Sequence, residues 1–407
     1  MSDMRFEFLL LSRVFRSIGI IFITLSSSLY LSLLGFSPAQ IGLIFLGAIG
    51  VTAVLSLSLG MFGDRKGYKK SLILGDLTGV IAGVLLWHFS LPSLAAIAFI
   101  IGGVGGAAGG MRGAFSTGLT PLVASNWVDE EERVRKMSLL ISTASFAGIG
   151  GSILLSLVSV VGKNVIDGYR LFFGISAFLM IASIACISLV KEVERPKKTT
   201  KIMQKSSAKY IGKVILSNSL AGVGLGMAIP LLPLWYKLAF HVGSFEIGIV
   251  FTISYISTGI GSLIAGKIHI NPLKVASLTR ALNGIFLLAM ALSPFFGLAA
   301  LLYIIRGLNA GIGSPNRTMV NIRGVQSEDY GTASSVQGIA TRVSQMSSGL
   351  GGFLMEYALP LPLEVGGVLQ AIGGYLYYWL LGERGQEDAK KVDEGEKRKP
   401  TRTLGKN

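Results

Sequence analysis

Long, largely uncharged apolar runs alternate with short polar breaks from one end of this chain to the other. Twelve runs can be marked, near residues 14–34, 39–60, 71–90, 94–117, 137–161, 168–190, 211–236, 244–266, 272–293, 296–318, 332–356 and 361–381. A helix rises about 1.5 Å per residue, so each run can cross a hydrocarbon layer of roughly 30 Å. The pattern predicts an all-α membrane protein with 12 transmembrane helices. The breaks alternate in character. One set is basic: Arg65 to Lys70, Arg133 to Lys136, Lys191 to Lys213, Lys267 to Lys274, Arg317 to Arg323 and the tail after Glu383. The other set, such as Gly35 to Gln40 and Ser90 to Ser93, is nearly free of charge. Basic loops stay in the cytoplasm, which places both termini there and the chain in the cell membrane as a multi-pass protein.

The two halves of the pattern echo each other. Ile41-Gly42 opens the second run and Ile247-Gly248 the eighth, 206 residues later. Lys70 precedes Asp76 as Lys274 precedes Arg280, and Phe99 to Gly102 matches Tyr303 to Arg306, both at an offset of 204. These offsets predict two pseudo-symmetric six-helix bundles, 1–190 and 211–382, joined by a cytoplasmic linker over 191–210 and followed by a disordered basic tail over 383–407.

Composition narrows the class further. Of 407 residues, 51% are hydrophobic and only 14% are charged, where soluble domains carry about 25%. The net charge of +15 sits in the loops and the tail, as topology signals do, which speaks against a nucleic-acid partner. One cysteine, Cys186, excludes a disulfide framework within the chain. No Ser/His pair, paired Asp or metal-ligand constellation falls within the runs, so neither enzyme chemistry nor a cofactor is expected. Arg13 and Arg16 read as the basic flank of the first span rather than part of a cleaved leader. A glycine stripe from Gly102 through Gly105, Gly106, Gly109 and Gly110 to Gly113 suits close helix packing.

The most specific motif is the loop Gly60-Met-Phe-Gly-Asp-Arg-Lys-Gly-Tyr-Lys-Lys70. With the twelve spans and the basic central linker, it resembles the major facilitator superfamily, whose signature here reads Gly60, Asp64, Arg65, Gly67 and Lys70. Pro121-Leu-Val-Ala124 and Ser314-Pro-Asn-Arg317 resemble further links of that family. The resemblance implies a permease with two bundles, no cofactor, and a loop that latches the cytoplasmic side by pairing with nearby helix ends. Asp64 is expected to accept the free N–H groups of a helix start. Two departures weigh against proton-coupled drug export. The position of an arginine common in the fourth helix falls near Ile101 or Gly102, and Gly148-Ile-Gly-Gly151 lacks the proline of many exporters.

Charges inside a membrane are costly and mark function. Arg306 and Arg342 lie near the middle of the tenth and eleventh runs, with Tyr303, Asn309 and Gln345 at helical spacing beside them. No acid sits at comparable depth, so these five are the candidate substrate-binding residues. Asp76 and Arg280, at matching positions of the two halves, are candidates for a gating ion pair across the bundles. The expectation is a monomeric secondary transporter that works by alternating access in the lipid bilayer on a small-molecule substrate, an organic anion, coupled to a proton or a counter-anion. Proton-coupled efflux of amphipathic compounds is the alternative, and a non-transporting membrane receptor or scaffold the alternative of another class.

Overall fold

The computed structural model describes residues 6–103, 116–127, 129–162, 164–193, 204–265, 267, 270–325 and 330–382. Among them are fifteen helices and no strand. The first half holds α1 (Phe6–Leu33), α2 (Pro38–Lys66), α3 (Tyr68–His88), α4 (Pro92–Ile101), α5 (Ser116–Asn126), α6 (Glu130–Val161) and α7 (Val165–Leu189). The second half holds α8 (Lys205–Ala228), α9 (Leu232–Phe240), α10 (Ser244–Ala265), α11 (Pro272–Ala291), α12 (Phe296–Ile322), α13 (Tyr330–Gln345), α14 (Ser348–Tyr357) and α15 (Leu361–Leu381). Among the described residues, nine helices are long and apolar enough to cross a membrane. With α15 and the pairs α4–α5 and α13–α14 they make the twelve spans; α9 extends the span begun by α8. The glycines from Gly105 to Gly113, Arg112 and the tail after residue 382 lie outside the described residues.

Local chemistry fixes the helix starts. Ser37 and Gln40 form a reciprocal cap on α2, with Pro38 in the first turn. There the Gln40 amide donates to Ser37 Oγ and the Ser37 amide to Gln40 Oε1, satisfying two donors the helix leaves open. Asp129, Asn164 and Asn271 cap α6, α7 and α11 one way only, each side-chain oxygen accepting one backbone N–H of the first turn. Span seven breaks where Pro230 and Pro233 remove backbone donors. Span eleven breaks at Met346–Ser347 with no proline, and Ser347 Oγ donates to the Val223 carbonyl of α8 at 2.7 Å. α12 runs on past Pro315 to Ile322. The Gly311 carbonyl that Pro315 leaves free accepts from Ser262 Oγ at 3.3 Å. The first span begins at Phe6, eight residues before the run marked in the sequence, and Arg13 and Arg16 lie buried inside it.

Bulky apolar side chains point outward, as a lipid solvent allows: Phe178 is 69% exposed and Leu263 70%. The interior is divided unequally. At the end remote from the basic loops, Leu29 and Tyr30 of α1, Phe45 of α2 and Phe173 of α7 share one core with Trp235 and Tyr236 of α9 and Phe251 of α10. At the basic end each half keeps its own core, around Leu72, Leu122 and Ile187 in one and around Tyr210, Leu273 and Tyr377 in the other. Among the described residues, the halves share a core at one end and keep separate cores at the other, where α13 of the second half still approaches α5 of the first.

Small residues make the joined end. A Cβ on Gly42 of α2 would stand 2.8 Å from the Ser348 carbonyl and 2.9 Å from Gly352 Cα of α14, so only glycine lets these backbones meet. Gly248 of α10 meets Ser152 and Ser156 of α6 in the same manner, and Thr252 Oγ1 lies 2.9 Å from Ser152 Oγ. Lys237 Nζ of α9 donates to Ser32 Oγ of α1 at 3.3 Å.

Candidate functional site

A cavity of about 480 Å³ lies between the halves. Its wall is unequal. Ile21 of α1 and Ser145 of α6 are the first half's described contributions, and the rest comes from α8 to α15. Three arginines of the second half line it: Arg280, Arg306 and Arg317. Among the described lining residues there is no Asp or Glu.

Helix arithmetic gives their depths. α12 descends from the joined end to the basic end, so Arg317 lies about 7.5 Å and Arg306 about 24 Å from its basic terminus. Arg280 lies about 12 Å into α11 from the same side. The guanidinium groups thus step down one wall, from the basic end to the floor.

Their surroundings differ. Arg280 donates to Asn218 Oδ1 at 2.6 Å and to the Ser217 carbonyl at 3.4 Å, and its guanidinium stands 4.4 Å from the centre of the Tyr377 ring. Those partners are neutral, so they hold the group without cancelling its charge. Tyr377 in turn donates to Asn321 Oδ1 at 2.7 Å. Arg306 is 8% exposed, and its Nε has no hydrogen-bond partner among the described residues. The nearest aromatic support is Tyr303, whose ring centre is 5.9 Å from the guanidinium carbon. Tyr303 packs on Phe251 with ring centres 5.0 Å apart. A buried cation with an open donor is costly unless an anion completes it.

Of the expected binding residues, Arg306, Tyr303 and Gln345 line the cavity together. Asn309 stands behind the wall. Its amide donates to the Thr279 carbonyl at 2.6 Å and to Asn283 Oδ1 at 2.9 Å. With that oxygen occupied, Asn283 keeps N–H groups to offer to the cavity it lines. Arg342 is half-buried on α13 and is not among the lining residues; its neighbour Thr341 is.

In this structure Asp76 and Arg280 do not pair with each other. Asp76 stays within the first half, accepting from Arg16 Nε at 2.7 Å and from Ser183 Oγ at 2.6 Å. Arg280 stays within the second half on Asn218 and Tyr377. Each charge has its partners on neighbouring helices of its own half.

The signature loop is also rearranged. Gly67 takes φ 103° between α2 and α3, a conformation only glycine adopts without strain. The carboxylate on the α3 amino terminus belongs to Glu192, not Asp64: Tyr68 N and Lys69 N donate to it at 2.7 and 3.0 Å. Asp64 instead accepts from the Tyr68 hydroxyl at 2.6 Å, and Lys69 Nζ reaches the Ser188 carbonyl at 2.6 Å. The loop thus clips the end of α7, inside its own half. Arg65 and Lys70 are exposed, and around Gly60 there is open space.

Sequence reasoning passed over Arg317, Asn218, Asn283 and Gln370, all on the cavity wall. Arg317 sat next to Pro315 and Arg323, which read as a loop. The polar residues on α8 and α11 had a signal available, since Asn218 and Asn283 are the amides inside otherwise apolar runs.

The comparisons with known proteins agree with this architecture. The family model described as Major Facilitator Superfamily matches residues 9–218 and again 214–406. A curated relative, the synaptic vesicular amine transporter of Rattus norvegicus, is 24% identical over 359 residues, covering 84% of this chain and 63% of the relative. The match therefore spans less than two thirds of that protein's length. Three solved structures share the fold. An auto-inhibited peptide transporter of the POT family aligns with a TM-score of 0.73 at 11% identity, over 93% of this chain and 97% of the other. The xylose transporter of E. coli in an inward-open conformation gives 0.70 at 14%, over 96% and 99%. A nucleoside transporter gives 0.67 at 14%, over 93% and 99%.

Proposed function

This chain belongs to the major facilitator superfamily, a non-enzymatic family of membrane transporters, and from that premise we propose that it carries an organic anion by alternating access. The observation that supports the reading is the cavity's charge: three arginines and no described carboxylate on its wall. Guanidinium forks match carboxylate and phosphate oxygens, and Arg306 has an open donor for one. An amine, the substrate class in the rat relative's name, would meet repulsion from all three.

Two bodies, near residues 1–190 and 211–382, rock about the cavity in this reading, linked through 191–210. In this reading the shared core and its glycine contacts form one gate, and the basic end, where each half keeps its own core, forms the other. The protein sits in the cell membrane with the basic end and both termini in the cytoplasm, so the cavity described here faces inward. Arg317 and Arg280 near the mouth draw anions in, and Arg306 holds them. Proton-coupled efflux would want a carboxylate in the cavity. The deepest described acid, Asp76, is sealed away by Arg16 and Ser183, which favours exchange against a second anion.

The test is ligand-dependent thermal stabilisation of the purified protein. A panel of carboxylates, organophosphates, amines and sugars is screened against the wild type and Arg306→Gln. Stabilisation by anions alone, lost in the variant, is the expected result. Stabilisation by amines, or anion stabilisation that survives Arg306→Gln, would overturn the assignment.

A further inference from the structure

Among the described residues the cavity carries its charge on one side only, and that asymmetry says more about its occupant than its sign. Below Arg306 the floor is apolar and aromatic: Ile21, Leu225, Ile229, Phe251, Tyr255 and Tyr303 line it. These residues come from α1, α8, α10 and α12 and from the α8–α9 break, so the shelf crosses the interface between the halves. Ile21 and Tyr255 converge on one point, since a Cβ on Gly148 of α6 would lie 2.8 Å from Ile21 Cδ1 and 3.4 Å from the Tyr255 ring. Tyr303 joins the shelf to the charge, touching Phe251 on one side and facing Arg306 on the other. The opposite wall, from Ile21 to Ser145, offers no described charge. A small hydrated anion such as phosphate would leave that shelf wet and gain nothing from it. We propose that the substrate is an amphipathic anion, its acidic group on Arg306 and its flat apolar body lying on the shelf of Ile21, Phe251, Tyr255 and Tyr303. This rests on the anion reading above and adds the shape and orientation of the ligand.

The geometry explains why the two features sit together. The acidic group engages only the second half, through α12. The apolar body reaches α1 of the first half, so one molecule touches both bodies that must move. A ligand too short to reach Ile21 would bind without linking them.

The experiment is a binding series on the full-length protein: acetate, benzoate, 2-naphthoate and biphenyl-4-carboxylate, with inorganic phosphate and neutral 2-naphthamide as controls. Affinity is expected to rise on the order of tenfold per added ring, from the apolar area each ring removes from water. Phosphate and acetate should bind weakest. Tyr255→Ala and Phe251→Ala should flatten the ring dependence, while Arg306→Gln should lower every anion by a similar factor. Equal affinity across the wild-type series, or phosphate binding tightest, would overturn the amphipathic inference and leave the anion reading standing. Equal binding of 2-naphthamide and 2-naphthoate would overturn the anion reading itself. The wild-type series needs no variant, so a poorly folded mutant cannot decide the outcome.

Discussion

Replacing Asp76 with Asn should destabilise the first half severely, because the carboxylate is the counter-charge for a buried arginine. Asp76 is 0% exposed and the Arg16 side chain 3%. Arg16 Nε and Ser183 Oγ both donate to it, and Ser12 Oγ lies 2.9 Å from Ser183 Oγ. Arg13, fully buried one turn earlier on α1, also acts on Asp76 electrostatically. Two unit charges about 4 Å apart attract by about 4 kcal/mol at an effective dielectric constant near 20. Removing one partner of such a pair costs roughly 3–5 kcal/mol, since the remaining charge stays buried. An asparagine oxygen still accepts a hydrogen bond, recovering about 1 kcal/mol. The expected loss is therefore about 3 kcal/mol, or roughly a hundredfold in the folding equilibrium. Equilibrium unfolding in mixed micelles titrated with SDS, followed by the fluorescence of Trp127 and Trp235, measures it. The double variant Arg16→Met with Asp76→Leu should recover part of the stability, because it no longer leaves Arg16 buried without its carboxylate, although Arg13 still loses the Asp76 charge. Wild-type stability in Asp76→Asn would refute the reasoning. So would rescue of Asp76→Arg by Arg280→Asp but not by Arg16→Asp, because that result would restore a pair across the halves.

Two further predictions follow from the contacts at either end. Gly248→Leu drives a side chain into the backbone of Ser152 and Ser156, so it should open the joined end; a cysteine at Ser32 in a Cys186→Ala background should then react several-fold faster with a water-soluble maleimide, and an unchanged rate would contradict the seal. Glu192→Gln weakens the cap on α3 by about 1 kcal/mol, the scale of a lost charged cap; the variant should unfold at lower SDS and transport more slowly, while Asp64→Asn should leave stability within about 0.5 kcal/mol because Asp64 is exposed.

The fold was largely legible because a bilayer demands long apolar helices and basic inner loops, both of which are written locally. What escaped was set by contacts between distant positions. The burial of Arg16 within α1 is matched by Asp76, sixty positions away, which no local pattern announces. The break at Met346–Ser347 has no proline and rests on Ser347 reaching the Val223 carbonyl. Arg306 and Tyr303 were found because a charge deep in an apolar run stands out. Arg317 was not, because Ser314-Pro-Asn-Arg317 read as a link between spans, whereas α12 runs on through it and Ser262 of a neighbouring span takes up the carbonyl that Pro315 leaves free. Arg342, found by the same depth rule as Arg306, lies off the cavity lining, since depth along a helix does not say which face a residue occupies.

The central claim is that one pocket between two halves opens to each side of the membrane in turn. A cysteine at Ala310, on the cavity wall, tests it most directly in a Cys186→Ala background. A membrane-impermeant thiol reagent is applied to oriented vesicles from one side and then the other, with and without 2-naphthoate. The account predicts labelling from both sides, faster from the basic side and slowed by the anion. A position that stays unlabelled from both sides, or reacts from one side alone under every condition, would contradict it.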